Sequence, residues 1–292
     1  MEKMLLVFNP VSGHGELTQK LFEVVDLFTR SGYEVTVHPT ATGGDALSYI
    51  KDRGPDFDLI VCSGGDGMIH EVVNAYLQNG IHTPLGYIPT GTTNDFAASL
   101  GLPRNIMEAA LSILNSQPRV IDAGVFNDKF FAYVAAFGLF TNIPYTADQN
   151  VKNIFGSIVY YLEGLKQLTA IPSISCRIEA DGEVIEGDFM LGVVANGTSI
   201  AGLQPPVESG AAIDDGLFEV YLVRPPKNPI ELQEIINGLF GNQTDSQVYI
   251  QRKVREVKFS SVQPCEWTLD GEFGGQYTDV YIENLHHVFS IL

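Results

Sequence analysis

A glycine-rich segment between a strand-like run and a helical pattern most limits how this chain can fold. The apolar run "LIVCS" is followed at once by residues 64–67, "GGDG", and apolar residues then recur at helical spacing from Ile69. A strand that opens through glycines into a helix exposes unpaired N–H groups, and the missing Cβ atoms let a phosphate approach the backbone. The segment therefore predicts a phosphate-binding turn, in which Asp66 implies an accompanying divalent cation or a hydrogen-bonded nucleotide. The alternative is a simple turn with Asp66 as the helix cap.

The first ~125 residues repeat this alternation of strand, polar loop and helix. The runs with the composition of strands are "MLLVFN", "YEVTVH", "DLIVCS" and "PLGYIP". They alternate with helical faces, which is typical of a parallel sheet covered by helices. The loops that follow them are "NPVSGHG", "PTATGG", "SGGDG" and "PTGTTND". Because the carboxyl ends of parallel strands meet at one edge, these loops form a candidate ligand site, and their coincidence favours a nucleotide.

The fourth loop is dense in hydroxyl, amide and carboxylate groups. Directly before another helical pattern it contains Thr90, Thr92, Thr93, Asn94 and Asp95. These groups can bind a nucleotide; the alternative is that Thr93 or Asn94 only caps the helix.

Two other nucleotide-binding folds are disfavoured by the glycine pattern. Gly13-x-Gly15 lacks the third glycine and the ribose-binding acid of a dinucleotide fingerprint, and no G-x-x-x-x-G-K-[ST] sequence is present.

From about Val120 the pattern changes to paired strands joined by tight turns. Turns are predicted at Asn127-Asp128 and Asp181-Gly182, and later strands at "LFEVYLV", "VREVKFSS", "CEWTLD" and "TDVYIEN". This half is predicted to be a mainly antiparallel sandwich or barrel. Two helices interrupt it, one at 154–168 and one between an Asn228 cap and a stop at Gly241. The predicted domains are 1–124, an α/β domain, and 125–286, a β-sandwich.

Charge and cysteine usage limit the function classes. The formal net charge is −18, and nucleic-acid binding needs clustered Lys and Arg, so that class is disfavoured. Cys62, Cys176 and Cys265 form no paired motif and are expected to be buried free thiols. No apolar run is long enough to span a bilayer and no leader precedes "MLLVFN", so a cytoplasmic protein is expected.

Several motifs together resemble one family. They are "NPVSG", "SGGDGMIHEVVN", "PLGYIPTGTTNDFAASLG", "ANGTSIAG", "AAIDDGLFEV" and "TLDGEFG", and they extend over nearly the whole chain. In order and spacing they are similar to the diacylglycerol kinase catalytic-domain family, which includes bacterial lipid kinases and sphingosine kinases with a fold related to NAD kinase. The resemblance implies ATP-dependent phosphoryl transfer to a lipid hydroxyl. It also implies a nucleotide-binding α/β domain, a β domain for the acceptor, and a chain end, 287–292, that packs back on the first domain.

The resemblance further implies which residues bind ATP and its Mg²⁺. Asp66 and Asp95 would face the phosphates and the metal ion. The full set of implied nucleotide contacts is Asn9, Pro10, Ser12, Gly13, Thr40, Gly64, Gly65, Asp66, Gly67, Met68, His70, Glu71, Thr92 and Asp95.

An auxiliary metal site is implied in the second half of the chain. Asp215, next to Asp214, would bind this metal together with the carbonyl oxygens of Ala212 and Leu217. Asp122 would join the network through water. The alternative for this segment is a simple turn before the strand "LFEVYLV".

The segment "LDGE" occupies the place of the family's proton acceptor. A lipid hydroxyl is a poor nucleophile, and a carboxylate within hydrogen-bond reach can take its proton as phosphorus is attacked. Asp270 and Glu272 are both candidates, and the sequence leaves the choice open. The alternative is a hairpin turn, because Asp-Gly is a strong turn pair.

Several functional alternatives stay open. Diacylglycerol is the leading acceptor, and a sphingoid base or another lipid alcohol is an alternative. A NAD kinase is disfavoured by the segments "GTTNDFA" and "LDGE".

Met68 stands where most family members have threonine, which raises the alternative of a catalytically silent lipid-binding protein. A lipid acceptor implies transient contact with a membrane surface, and the predicted helix 154–168 is either a core or a membrane-surface helix. A homodimer is left open. His286 and His287 belong to no spaced set of acid or cysteine ligands and are expected to be structural or exposed.

Overall fold

The structure is a computed structural model that describes residues 1–139, 171–197, 212–239 and 247–292. Its contacts divide the chain into a first unit, Met1–Ala123 with His286–Leu292, and a second unit, Gly124–Leu285. The chain passes from one unit to the other within two strands, β5 (Arg119–Phe126) and β14 (Glu272–Ile291). The predicted boundaries, 124/125 and 286/287, each lie one residue from these divisions.

A parallel sheet organises the first unit. Its strands are β1 (Glu2–Phe8), β2 (Tyr33–Pro39), β3 (Leu59–Gly64) and β4 (Leu85–Pro89). They are arranged β4-β3-β1-β2, and the end of β14 extends this sheet because Ile291 pairs in parallel with Leu85. β3 and β4 are buried along their whole length, as expected for central strands with continuous apolar sequences. The strands predicted in this half of the chain are confirmed.

Helices follow the strands of this fully described unit. They are α1 (Glu16–Arg30), α2 (Asp45–Arg53), α3 (Asp66–Asn79), α4 (Asp95–Leu100) and α5 (Ile106–Asn115). α1 buries Leu17, Val24 and Phe28, which recur at helical spacing and so share one face of the helix. Each of α1 to α4 begins directly after one of the polar loops. The loop residues therefore lie next to helix N-termini, where backbone N–H groups lack helical partners.

Antiparallel strands build the second unit, as predicted. After β5 they are β6 (Lys129–Phe131), β7 (Val134–Gly138), β8 (Ile174–Ala180), β9 (Glu183–Phe189), β10 (Leu191–Ala195), β11 (Phe218–Val223), β12 (Tyr249–Val254) and β13 (Glu256–Leu269), followed by β14. The pairing order is β12-β11-β10-β7-β13-β14, and β8 pairs with both β13 and β9. A helix, α6 (Pro229–Leu239), follows β11.

The predicted turns are present, but one predicted strand break is wrong. Asn127 and Asp181 turn the β5–β6 and β8–β9 hairpins with φ angles of 51° and 44°, a left-handed conformation that Asn and Asp tolerate. The two strands predicted at "VREVKFSS" and "CEWTLD" are one strand, β13, whose register shifts between Ser260 and Cys265. Pro264 lies in that interval. Because proline has no N–H, it is accommodated at this irregularity without ending the strand.

Aromatic rings form much of the core of the second unit. Trp267 contacts Phe126, Phe137 and Phe259, with ring centroids between 4.8 and 5.1 Å apart. At the periphery, the Asn228 side chain caps α6 by accepting hydrogen bonds from two N–H groups of the first turn, as predicted. The predicted stop of this helix at 241 and the predicted helix 154–168 lie outside the described residues.

The three cysteines are free and buried, as predicted. Burial raises the pKa of the Cys176 thiol to about 11 and that of Cys265 to about 12, which keeps both thiols protonated and inert. In the described part of the chain, no helix combines the length and the apolar character needed to cross a membrane.

Candidate functional site

The loops that follow β1, β3 and β4 contact one another at the carboxyl edge of the parallel sheet. Asn9 N donates to Ser63 O at 3.0 Å, and Thr90 N donates to Gly64 O at 2.9 Å. The hydroxyl of Thr90 also lies 3.2 Å from that of Ser12. Three segments far apart in sequence therefore meet at the edge that the strand pattern predicted.

Glycine is required where these loops touch. A Cβ atom on Gly91 would lie 2.4 Å from Gly65 Cα, and a Cβ atom on Gly13 would lie 2.4 Å from Thr90 O. Real Cβ atoms do not approach other atoms so closely, so a side chain at either position would push the loops apart. Gly13 also has a φ angle of 56°, in the left-handed region that favours glycine.

The loop after β2 is attached to the same edge. Thr40 N donates to Phe8 O at 2.9 Å, next to the loop after β1. The Glu71 carboxylate, on α3, accepts a hydrogen bond of 2.8 Å from Gly44 N. The Glu71 side chain therefore fixes the loop after β2 through a hydrogen bond from the loop's backbone. The remaining predicted contacts lie in these loops or in the first turns of α3; they are Pro10, Gly67, His70 and Thr92.

Asp66 joins two helices. It is the first residue of α3, whose N-cap position is Gly65 without a side-chain hydrogen bond. Its Oδ1 atom lies 3.3 Å from Phe96 N, in the first turn of α4. Asp66 therefore occupies the first position of α3 rather than its N-cap, and its carboxylate reaches the first turn of α4.

Asn94 shapes the loop after β4. Its side chain accepts a hydrogen bond from Gly91 N at 2.9 Å and donates one to Gly91 O at 2.7 Å. It stands at the N-cap position of α4 with a φ angle of 56° but makes no side-chain cap bond there, so the capping alternative is wrong for Asn94. The next residue, Asp95, is buried, whereas Thr92 at the loop tip is exposed.

Met68 contributes packing at the start of α3. Its side chain is buried, and a Cβ atom on Gly64 would lie 2.5 Å from Met68 Cβ. Its N–H group donates to Gly65 O at 3.0 Å. The methionine side chain thus covers the backbone of the glycine-rich turn from the core side.

The two acids of "LDGE" have different environments. Asp270 is buried, and its carboxylate accepts hydrogen bonds from the N–H groups of Ala132, Tyr133 and Val134 at 2.8, 2.9 and 3.1 Å. Glu272 is exposed. The segment is also the hairpin turn between β13 and β14, so the turn alternative is correct as a description of its backbone. Asp270 holds this turn against the start of β7, and Glu272 faces solvent.

A lysine lies at the predicted auxiliary metal site. Asp215 Oδ1 accepts a hydrogen bond of 3.0 Å from Leu217 N, so the turn alternative describes its local structure. Lys253 Nζ lies 3.6 Å from Asp215 Oδ2 and 3.5 Å from Glu219 Oε1. Ala212 and Asp214 precede Asp215 in the segment before β11. Glu219 and Lys253 are absent from the predicted set of site residues, although an acid inside the apolar run "LFEVYLV" is a signal for a buried carboxylate.

Glu219 is a buried carboxylate that lies beside Lys253. Its side chain has no solvent exposure, and among the described residues neither of its oxygens has a partner with hydrogen-bond geometry. Burial raises the pKa of this carboxyl to about 7; the Lys253 ammonium opposes the shift, and Asp215 adds to it. The protonated form is therefore favoured by folding.

This shift predicts a specific pH dependence. Because the folded pKa is about 7 and the ordinary value is 4.5, the contribution of Glu219 to stability is present at low pH and is lost as pH rises through 7. Between pH 5.5 and 8.5, the unfolding free energy of Glu219→Gln should rise relative to the native protein by about 2 kcal/mol. Urea denaturation in EDTA measures this difference. Glu23→Gln, at an exposed position of α1, is the control, and parallel pH profiles for Glu219→Gln and native protein would contradict the assignment.

Two histidines near the chain end lie against Asp122, a buried residue of β5. His286 Nδ1 lies 3.0 Å from Asp122 Oδ1, and His287 N donates to the same oxygen at 2.8 Å. Both histidines are exposed, as expected, but the prediction that they belong to no ligand set with an acid is wrong. His286 and His287 lie 164 and 165 positions from Asp122, so local sequence patterns do not reveal the contact. The predicted water-mediated role of Asp122 stays a prediction.

Comparisons with known proteins agree on one family. The model of the "Diacylglycerol kinase catalytic domain" matches residues 3–126, and that of the "YegS C-terminal NAD kinase beta sandwich-like domain" matches residues 137–284. A diacylglycerol kinase from Bacillus subtilis (strain 168) is 32% identical over 294 residues, which cover 100% of this chain and 97% of the relative. One from Staphylococcus haemolyticus (strain JCSC1435) is 32% identical over 285 residues, covering 97% of this chain and 86% of the relative.

Solved structures give the same result. A crystal structure of a diacylglycerol kinase from Bacillus anthracis str. Sterne aligns with a TM-score of 0.78 and 25% identity, covering 99% of this chain and 96% of that one. A second crystal structure from the same organism aligns with a TM-score of 0.85 and 27% identity, covering 99% and 94%.

Proposed function

Because the chain belongs to the diacylglycerol kinase family and is a phosphotransferase that acts on an alcohol, we propose that it transfers the γ-phosphoryl group of Mg-ATP to the hydroxyl of diacylglycerol. The product is phosphatidic acid. One observation carries the nucleotide half of this proposal: the glycine-rich loops after β1, β3 and β4 meet at one sheet edge, beside the N-termini of helices. Backbone N–H groups at such an edge can bind phosphate oxygens without side chains in the way.

The acidic residues at this edge suit a divalent cation. Carboxylate oxygens are the ligands that Mg²⁺ prefers, and Asp66 and Asp95 begin α3 and α4 next to the glycine-rich loops. Bound there with ATP, Mg²⁺ would neutralise charge on the phosphates. Asp66 and Asp95 would hold the ion, and the loop amides would orient the phosphate chain. For the auxiliary metal, the oxygens of Asp215, Ala212 and Leu217 also fit Mg²⁺, with Lys253 competing for the Asp215 carboxylate.

Glu272 is the better of the two candidate bases. Asp270 uses both carboxylate oxygens to accept backbone hydrogen bonds, and protonating it would weaken those bonds. Glu272 is exposed and lies on the turn that Asp270 holds. We therefore assign Glu272 as the group that takes the proton of the acceptor hydroxyl, and Asp270 as a positioning residue.

An exposed aromatic residue beside the base supports a lipid acceptor. Phe273 follows Glu272 directly, and 69% of its surface is exposed. An apolar side chain at this place can contact an acyl chain or a membrane surface. A transient contact with a lipid surface is therefore part of the proposal, and diacylglycerol is preferred over a sphingoid base on the names of the relatives.

An acceptor panel tests this function. The purified chain with labelled ATP and Mg²⁺ should phosphorylate diacylglycerol in mixed micelles faster than sphingosine or NAD. Asp66→Asn should lower turnover by about 100-fold or more, because the variant loses the carboxylate beside the phosphates. Asp26→Asn, on the outer part of α1, should keep the native rate. Preferred phosphorylation of NAD would favour the NAD kinase alternative, and a native protein no faster than Asp66→Asn would favour the catalytically silent one.

A second pair of variants separates the two acids. Glu272→Gln should lower kcat by about 100-fold or more with an unchanged KM for ATP, because it removes the proton acceptor but no phosphate contact. Asp270→Asn should instead lower the unfolding free energy by about 1–3 kcal/mol, because an amide N–H₂ group replaces one acceptor of backbone N–H groups. Steady-state kinetics and urea denaturation measure both effects. A Glu272→Gln enzyme with native kcat would place the base elsewhere.

A further inference from the structure

A cluster of metal-ligating side chains in the first unit includes Asp122, which the resemblance links to the auxiliary metal only through water, together with His286 and His287. Asp122, His286 and His287 each offer one ligand atom, and these atoms lie within 4.8 Å of one another. Among the residues that the structure describes, this is the one group of three or more His, Cys, Asp or Glu side chains with such a spacing.

The backbone at His287 brings both histidines to Asp122. Consecutive residues of a regular strand point to opposite faces, so neighbouring histidines on β14 would be expected to diverge. Instead, His287 has a φ angle of 56°, and the two imidazole rings stack with their centroids 3.6 Å apart. A left-handed conformation is uncommon among residues other than glycine, and histidine adopts it more often than most of them. Here it breaks the strand alternation and places two imidazoles beside one buried carboxylate.

The chemistry of this set points to zinc. We propose that Asp122, His286 and His287 form a binding site for Zn²⁺ that is separate from the Mg-ATP site. Imidazole nitrogen and carboxylate oxygen bind Zn²⁺ at about 2.0–2.2 Å, so tetrahedral ligand atoms lie roughly 3.4 Å apart. The 3.0 Å distance between His286 Nδ1 and Asp122 Oδ1 is already close to that separation. The third ligand atom, on His287, lies within 4.8 Å of the other two.

The environment of the cluster lets an ion enter. Asp122 is fully buried and held by a backbone N–H group, which fixes one ligand in place. Both histidines are exposed, so a hydrated ion can reach them and keep a water molecule as its fourth ligand. Mg²⁺ is a poor competitor, because it prefers an octahedral set of oxygen ligands to imidazole.

An ion at this site would cross-link two distant parts of the chain. Asp122 lies next to the end of the segment Met1–Ala123, and His286 begins the returning segment His286–Leu292. Zn²⁺ would therefore fasten the returning chain end to the first unit. Because a ligand that binds only the folded state stabilises it, Zn²⁺ should also raise the resistance of the protein to unfolding.

Metal titration of the full chain tests the proposal. After EDTA treatment and desalting, isothermal titration calorimetry with Zn²⁺ should give one site per chain with a dissociation constant in the low micromolar range or below. Millimolar Mg²⁺ should not displace the ion. Co²⁺ should bind the same site and give the strong visible absorption of a tetrahedral complex. Zn²⁺ should also raise the midpoint of thermal unfolding.

Histidine variants identify the ligands. His286→Ala and His287→Ala should each weaken Zn²⁺ binding by about tenfold or more and abolish the Co²⁺ absorption. His38→Ala is a matched control: His38 also contacts a carboxylate, that of Asp45 at 3.3 Å, but has no second histidine beside it. This control should bind Zn²⁺ like the native chain. Circular dichroism confirms that each variant is folded.

Two outcomes would overturn the proposal. One is a native chain that shows no single-site binding of Zn²⁺ at about 100 µM, a concentration far above that needed for a three-ligand site. The other is a folded His286→Ala/His287→Ala double variant that binds Zn²⁺ as tightly as the native chain. Neither readout depends on phosphoryl transfer, so the result is independent of the proposed kinase activity.

Discussion

The approach of backbone to backbone at the carboxyl edge of the parallel sheet is the constraint on which the candidate site depends. Gly91 lies so close to Gly65 that a Cβ atom on it would be 2.4 Å from Gly65 Cα, and Gly13 lies equally close to the carbonyl oxygen of Thr90. These contacts bring loops from three strands into one surface made largely of main-chain atoms. Such a surface offers N–H donors at fixed positions, which suits a chain of phosphate groups better than it suits an apolar ligand.

The buried acids of the chain differ in how their charge is compensated. Asp270 accepts three backbone hydrogen bonds, and Asp122 contacts a histidine ring and a backbone N–H group. Glu219 lies 3.5 Å from the Lys253 ammonium, but burial outweighs this cation and raises the pKa of the carboxyl to about 7. These different environments distinguish the buried acids from one another, whereas their residue types alone do not. An acid saturated by backbone donors orders the structure, whereas an exposed acid such as Glu272 remains available for proton transfer.

Local patterns predicted the elements of the fold and the loops of the candidate site. Apolar periodicity and glycine position are local properties, and they correctly located β1, β3, β4, α1 and α3. The same reasoning could not choose between Asp270 and Glu272, because the three N–H donors to Asp270 come from residues more than 130 positions away. It also missed the contact of Asp122 with the histidines, which depends on an irregular backbone angle at His287. The sequence patterns did not reveal contacts between residues far apart in the chain or irregular backbone angles at single residues.

Hydrogen–deuterium exchange of the full chain, with and without a non-hydrolysable Mg-ATP analogue, tests the central claim most directly. If main-chain N–H groups of neighbouring loops bind the phosphates, the analogue should slow amide exchange in three sets of peptides at once. These peptides cover residues 9–15, 64–71 and 90–96. Peptides from β8 and β9 serve as the internal reference and should be unaffected. Saturating analogue that leaves all three loop segments unchanged, or protects only a region outside them, would contradict the account.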